Sequence, residues 1–101
     1  MDIETTIFTI IAHSGDARSS SMEAIGYARK KDFDRAAACL EEANKKLLLV
    51  HSELTKLIQA EAQGRETRLS LLLIHAQDHL MGAMTIRDLA GEFIELYRAI
   101  Y

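Results

Sequence analysis

Proline and tryptophan are absent from this sequence of 101 residues, and glycine occurs only five times. Sheet proteins depend on glycine and proline for their tight turns, so this shortage argues against a hairpin-rich all-β fold. Hydrophobic residues nevertheless make up 49% of the chain, which is enough for a packed core. These features predict an all-α protein, and the length suits one domain over residues 1–101.

Cysteine, long apolar runs and excess positive charge are also missing. The lone Cys39 cannot form an intramolecular disulfide, and its apolar neighbours predict a small buried side chain. No apolar run exceeds five residues, whereas a membrane span needs roughly 20. The start Met1–Glu4 lacks the basic region of a signal peptide. The net charge of −3 argues against nucleic-acid binding, which usually involves a basic surface. Because a signal peptide and a membrane span are not expected, we predict a cytoplasmic protein.

Three stretches of the chain carry apolar residues at steps of three and four, which is typical of amphipathic helices. We expect helices over about Asp2–Lys30 and Phe33–Gln63, and a third from Glu66 or Thr67 to about Tyr97. Each would be about 45 Å long at 1.5 Å per residue. The expected apolar positions of the first two are Ile3, Ile7, Ile10, Ile11, Ala17, Ala24 and Ala28, then Phe33, Ala36, Ala37, Leu40, Ala43, Leu47, Val50, Leu54, Leu57 and Ile58. Short connections make neighbouring helices antiparallel, which predicts an up-down-up three-helix bundle.

The two predicted breaks carry helix-ending signals. Cations at Lys30 and Lys31 suit the negative end of the first helix, and Asp32 is a good N-cap for the second. Gly64 suits a left-handed residue just after the second helix. Gly15 and Gly26, inside the first helix, each cost about 1 kcal/mol relative to alanine, and they are tolerated more easily if a neighbouring backbone packs close to them.

The third helix is apolar around its whole circumference, because Leu71–Ile74 point to four quadrants of a helical wheel. A helix that is apolar all round is usually buried all round. Three helices of one chain would cover only part of it, so we expect an oligomer with this helix near the centre. The alternative is a monomer with exposed leucines, which contiguous apolar patches argue against.

Reactive side chains interrupt this apolar surface. One stripe of the wheel, here called the α3 stripe, contains Leu71, His75, Asp78, Gly82, Thr85 and Leu89, and His79 flanks it. Ionisable groups on such a seam are costly unless they are paired, ligated or line a crevice. Three interpretations stay open from spacing alone: a buried His–Asp hydrogen bond that sets register, a metal site of His75, Asp78 and His79, or a nucleophilic histidine.

A resemblance favours the third interpretation. The segment Leu72–Met81, with its string H-x-Q-D-H-L-M, resembles the active-site helix of the lactose/cellobiose-type enzyme IIA components of the bacterial phosphoenolpyruvate-dependent sugar phosphotransferase system (PTS). Ile10–Ser19 is similar to that family's glycine-aspartate-alanine-arginine segment, and Leu89–Arg98 also fits. The similarity spans almost the whole chain.

The resemblance implies a homotrimer of three-helix subunits that acts as a phosphocarrier. His75 would accept a phosphoryl group on Nε2 (tele-phosphohistidine) from phospho-HPr and pass it to a cysteine of the IIB component. His79 would support the phosphoryl group, and Asp78 of each subunit would bind one shared divalent cation, Mg²⁺, at the trimer axis. The transported sugar would be a disaccharide of the cellobiose, lactose or chitobiose class, bound by the membrane component IIC, so contact with the membrane is indirect.

Several further polar residues are candidates for the surroundings of His75. His13, Asp16 and Gln77 are candidates for lining a crevice near His75, although Gln77 points to the opposite side of the wheel and could serve a docking surface. Asp16 and Arg18 could line the crevice or form ordinary ion pairs. The alternative function is a metal-binding helical oligomer without phosphotransfer.

Overall fold

A computed structural model describes residues 2–65 and 69–101. Three α-helices follow one another: α1 (Ile3–Arg29), α2 (Phe33–Ala62) and α3 (Leu71–Ile100). None of the described residues lies in a strand, so the predicted all-α three-helix architecture is confirmed. The bundle measures 53 × 21 × 17 Å. Over these residues, no helix is long and apolar enough to cross a membrane.

The ends of α1 and α2 share one hydrogen-bonding pattern. After α1, Lys31 takes a left-handed φ of 66°, and the amide of Asp32 donates to the carbonyl of Tyr27 at 2.9 Å. After α2, Gly64 has φ 87°, and the amide of Arg65 donates to the carbonyl of Ala60 at 3.0 Å. Both are Schellman endings, in which a left-handed residue lets the last carbonyls find donors. The predicted role of Gly64 is confirmed.

The start of α3 differs from the prediction. Glu66 and Thr67, the expected first residues, lie outside the described part of the chain. Ser70 is extended, with φ −137° and ψ 160°, and its side chain accepts a hydrogen bond from the amide of Leu73. The helix therefore begins at Leu71, because Ser70 caps it, and it continues to Ile100 beyond the expected end at Tyr97.

The core is built mostly from small residues on a stripe of α1. The buried positions of this helix are Thr6, Ile7, Ile10, Ser14, Ala17, Ser21, Ala24 and Ala28. Ala76 and Ala83 of α3 and Ala43 of α2 are buried in the same core. Small side chains let helix backbones approach closely, and α1 packs extensively against both other helices, whereas α2 and α3 touch each other less. α1 therefore anchors the two helices that flank it.

Three of the expected apolar positions are exposed: Ile3, Ala37 and Ile58. The expected burial of Cys39 needs correction. Cys39 is only half-buried, with its Sγ 3.9 Å from a carboxylate oxygen of Glu23. Burial, together with this carboxylate, raises the pKa of the Cys39 thiol.

The two glycines inside α1 have no close neighbour. A side chain added at Gly15 or Gly26 would meet no other atom within 4 Å. No neighbouring backbone therefore requires a glycine at either position. Both residues are nonetheless helical, so the packing of the buried α1 stripe outweighs their low helix propensity.

Candidate functional site

The α3 stripe is the exposed face of its helix in the single chain. All six of its residues are exposed, and Leu71 at its start is 83% exposed. On the other side of the helix, Ala76 and Ala83 are buried against α1 and α2. This packing fixes the orientation of α3, so His75 and Asp78 face outward rather than into the core of their own chain.

His75 and His79 form a close pair one helical turn apart. Their Nε2 atoms are 3.0 Å apart, and their rings meet edge to face with centroids separated by 4.4 Å and planes at 83°. At that distance one nitrogen donates a hydrogen bond and the other accepts it, so the pair shares one proton between the two Nε2 atoms. His75 is exposed and His79 half-buried, which leaves His75 as the more accessible ring.

These histidines lie in a shallow cleft between α1 and α3. The cleft has a volume of about 250 Å³ and is lined by Arg18, His75, Asp78, His79, Gly82 and Ala83. A cation, a carboxylate and two imidazoles therefore meet in one place. The small residues Gly82 and Ala83 form part of the wall and leave room above the histidines.

The other sequence-predicted residues lie outside this lining. His13 is half-buried on α1, and its Nδ1 has no hydrogen-bond partner among the described residues. Asp16 is 3.8 Å from Nζ of Lys46 on α2. Gln77 is half-buried on α3. Asp16 and Arg18 were each expected either to form an ion pair or to line the crevice. In the structure, Asp16 forms an ion pair and Arg18 lines the cleft.

The described residues do not assemble a metal centre within one chain. They contain no group of three or more histidine, cysteine, aspartate or glutamate side chains placed to hold an ion. His75, Asp78 and His79 line the same cleft but are not placed to hold one ion together, so the single-chain metal site suggested by their spacing is not formed. A site shared between chains would need only the one exposed carboxylate of Asp78 from each.

A second cleft, of about 340 Å³, lies between α2 and α3. Its lining is mainly apolar and includes Leu47, Leu48, Leu80, Met84 and the exposed His51. Its ionisable lining residues are His51 and Arg87, and the lining contains no carboxylate. The smaller His75 cleft is the better candidate for chemistry, because it brings together the ionisable groups that group transfer uses.

Comparison with known proteins shows the family of this chain. Residues 5–98 match the family model of the PTS system lactose/cellobiose specific IIA subunit. The chain belongs to this family. Its members are phosphotransfer proteins of the sugar PTS, which confirms the resemblance seen in the His75–Met81 string.

Individual IIA relatives cover nearly the full length of this chain. The lichenan-specific phosphotransferase enzyme IIA component of Bacillus subtilis (strain 168) is 50% identical over 99 residues, which are 98% of this chain and 90% of the relative. The lactose-specific EIIA component of Staphylococcus epidermidis (strain RP62A) is 39% identical over 97 residues, 96% of this chain and 93% of the relative.

Solved IIA structures share the fold. The crystal structure of the cellobiose-specific enzyme IIA from Bacillus anthracis superimposes with a TM-score of 0.94 at 44% identity, covering 99% of this chain and 93% of the other. The chitobiose IIA of Escherichia coli, solved in complex with HPr, has a TM-score of 0.86 at 36% identity, covering 99% and 97%. The three-helix architecture is therefore that of PTS IIA components.

Proposed function

We propose that this IIA subunit carries a phosphoryl group on His75, taking it from phospho-HPr and passing it to a cysteine of the IIB component. The observation that carries the proposal is the pair of Nε2 atoms 3.0 Å apart at an exposed cleft. An exposed imidazole can be reached by two protein partners in turn, and a similar IIA has been solved in complex with HPr.

The transfer needs one free lone pair on His75. We assign the shared proton to His79, whose Nε2 lies 3.0 Å from Nε2 of His75, because the His75 nitrogen is then unprotonated and nucleophilic. The lone pair attacks phosphorus, the nitrogen–phosphorus bond of phospho-HPr breaks, and the HPr histidine leaves with its electron pair. The N–H of His79 then turns from the nitrogen to a phosphoryl oxygen.

The second transfer reverses the role of His75. A thiolate of IIB attacks phosphorus, and the bond to Nε2 of His75 breaks, so the imidazole regains its lone pair. Phosphoryl transfer asks mainly for positioning and charge stabilisation. An exposed histidine with a neighbouring hydrogen-bond donor supplies both.

Reconstitution with enzyme I, HPr and phosphoenolpyruvate tests this carrier function. We expect an acid-labile, base-stable phosphoprotein, and His75→Gln should not take up phosphate. His51→Gln is a matched control, because His51 is also an exposed histidine but lies in the other cleft. Phosphate uptake by His75→Gln at the normal rate would disprove the assignment.

We further propose a homotrimer in which Asp78 of the α3 stripe faces the three-fold axis and the three copies hold one Mg²⁺, while His75 lies away from the axis and stays accessible in its cleft. Asp78 fits this role, because it is exposed on the stripe and forms no ion pair with the described residues. Three such carboxylates would repel one another, and a hard cation that prefers oxygen ligands offsets that charge.

Sedimentation and metal titration test the assembly. We expect one Mg²⁺ or Mn²⁺ per three chains, and loss of that binding in Asp78→Leu. Asp88→Leu is the control, because Asp88 is an exposed carboxylate of α3 outside the stripe. Stoichiometric binding of a transition metal by His75 and His79 of each chain, without phosphate uptake, would instead support the alternative of a metal-binding oligomer.

The sugar belongs to the disaccharide class in this proposal. Relatives named for lactose and cellobiose support it, as does the chitobiose IIA. The membrane component IIC would bind the sugar, so this subunit meets the membrane only through its partners. The cytoplasmic location stays a prediction.

A further inference from the structure

We infer that Arg18 is the cationic ligand of the phosphoryl group on His75, an assignment that rests on the carrier function proposed above. Arg18 belongs to α1, whereas both histidines belong to α3. Its side chain nevertheless lines the cleft that contains His75, Asp78 and His79. It is the one side chain in this lining that carries a fixed positive charge.

Arg18 also borders the adjoining hollow along α3. That hollow has a volume of about 410 Å³ and is lined by Arg18, Met81, Gly82, Thr85 and Ile86. Arg18 and Gly82 are shared by the two cavities. A side chain added at Gly82 would meet no atom within 4 Å, so open space surrounds this point. Arg18 therefore lies at the boundary between the histidine cleft and an open hollow.

The charge of Arg18 is not used elsewhere in the described part of the chain. Lys46, Arg87 and Arg98 each form an ion pair, but Arg18 forms none within 4.0 Å of a described carboxylate. Asp78 lines the same cleft and is also unpaired in those residues. The guanidinium is exposed and free to bind an incoming anion.

A phosphoryl group on His75 is such an anion. It brings about −1.5 to −2 charges and three acceptor oxygens into the cleft. His79 can donate only one hydrogen bond from Nε2, so two oxygens need other donors. A guanidinium offers a fork of N–H groups that matches phosphoryl oxygens in a bidentate manner. Arg18 therefore completes the donor set that the two histidines leave unfinished.

Three variants test the assignment: Arg18→Gln, Arg18→Lys and Arg29→Gln. Arg29 is an exposed arginine of α1, so its substitution makes the same charge change on the same helix away from the cleft. In single-turnover transfer from phospho-HPr, we expect Arg18→Gln to be slower by about 10- to 100-fold at saturating donor, as for loss of a charged hydrogen bond. Arg18→Lys should recover part of the rate, and Arg29→Gln should match the unaltered protein.

Direct contact has a spectroscopic signature in the unaltered protein. Phosphorylation should shift the Nε–H signal of Arg18 and leave that of Arg29 in place. The ³¹P signal of phosphohistidine should move in Arg18→Gln but not in Arg29→Gln. The first readout does not depend on how well a variant folds, because it uses the unaltered chain.

Two results would overturn the inference. One is an unchanged Arg18 Nε–H signal on phosphorylation. The other is a raised KM for phospho-HPr with unchanged kcat and ³¹P signal in Arg18→Gln, which would make Arg18 a docking residue. Failure of the carrier function is distinguishable, because then the unaltered protein would take up no phosphate or His75→Gln would take it up normally.

Discussion

The capping hydrogen bond of Ser70 can be tested as a source of stability for the first turn of α3. The first turn of a helix has four amides without a helical partner, and the hydroxyl of Ser70 accepts from one of them, Leu73 N, at 3.1 Å. His75 follows only two residues later. Ser70→Ala removes the acceptor and leaves the backbone and the helical residues unchanged.

The expected loss is about 1 kcal/mol, the usual cost of replacing a serine N-cap by alanine. Such a loss raises the open population of the first turn by about fivefold, since 1.36 kcal/mol corresponds to tenfold. Ser70→Asp keeps an acceptor and adds a negative charge near the positive end of the helix, so it should retain the stability.

Amide hydrogen exchange and urea unfolding measure the two effects. The Leu73 amide should exchange about five times faster in Ser70→Ala and at the original rate in Ser70→Asp. Ser52→Ala, an exposed serine within α2, is the control and should cause no loss. The hydrogen-bond explanation would be refuted if Ser70→Asp were as unstable as Ser70→Ala, or if Leu73 exchange did not change.

Three other regions lead to separate predictions. Ile10 is 1% exposed, so Ile10→Ala should lower the free energy of unfolding by about 3–4 kcal/mol in urea, from three lost carbons plus a cavity; a loss below about 1 kcal/mol would contradict close packing there. Gly64→Ala should cost about 1–2 kcal/mol in thermal unfolding because φ is 87°, and no neighbour lies within 4 Å to add a clash. The pKa of the Cys39 thiol is raised by burial and by Glu23, so alkylation by iodoacetamide near pH 8 should be slower than for a free thiol and faster in Glu23→Gln; equal rates in both would remove Glu23 as a cause.

Much of the fold was predictable from local signals. Asp32 and Gly64 marked the two breaks correctly, because an N-cap carboxylate and a left-handed glycine act through their own backbone neighbours. The start of α3 was not predictable in this way. Threonine and serine can both cap a helix, so the sequence alone does not choose between Thr67 and Ser70.

For the candidate site, too, one part is predictable from local spacing and another part depends on helix packing. The i,i+4 spacing of His75 and His79 places them on one face of any helix, so their pairing follows from the sequence. The contribution of Arg18 to the cleft does not follow from the sequence, because it depends on how α1 and α3 align. Sequence alone left Arg18 and Asp16 with the same two roles, and only the packed helices separate them.

The cleft around His75 draws on two helices of one chain, and this has a genetic consequence. In mixed assemblies of intact and His75→Gln subunits, each intact chain keeps its own Arg18, His75 and His79. Transfer capacity should then fall in proportion to the fraction of altered chains, so such an allele would be recessive. An Asp78→Leu allele should instead be dominant, because the proposed cation depends jointly on the carboxylates of all three chains.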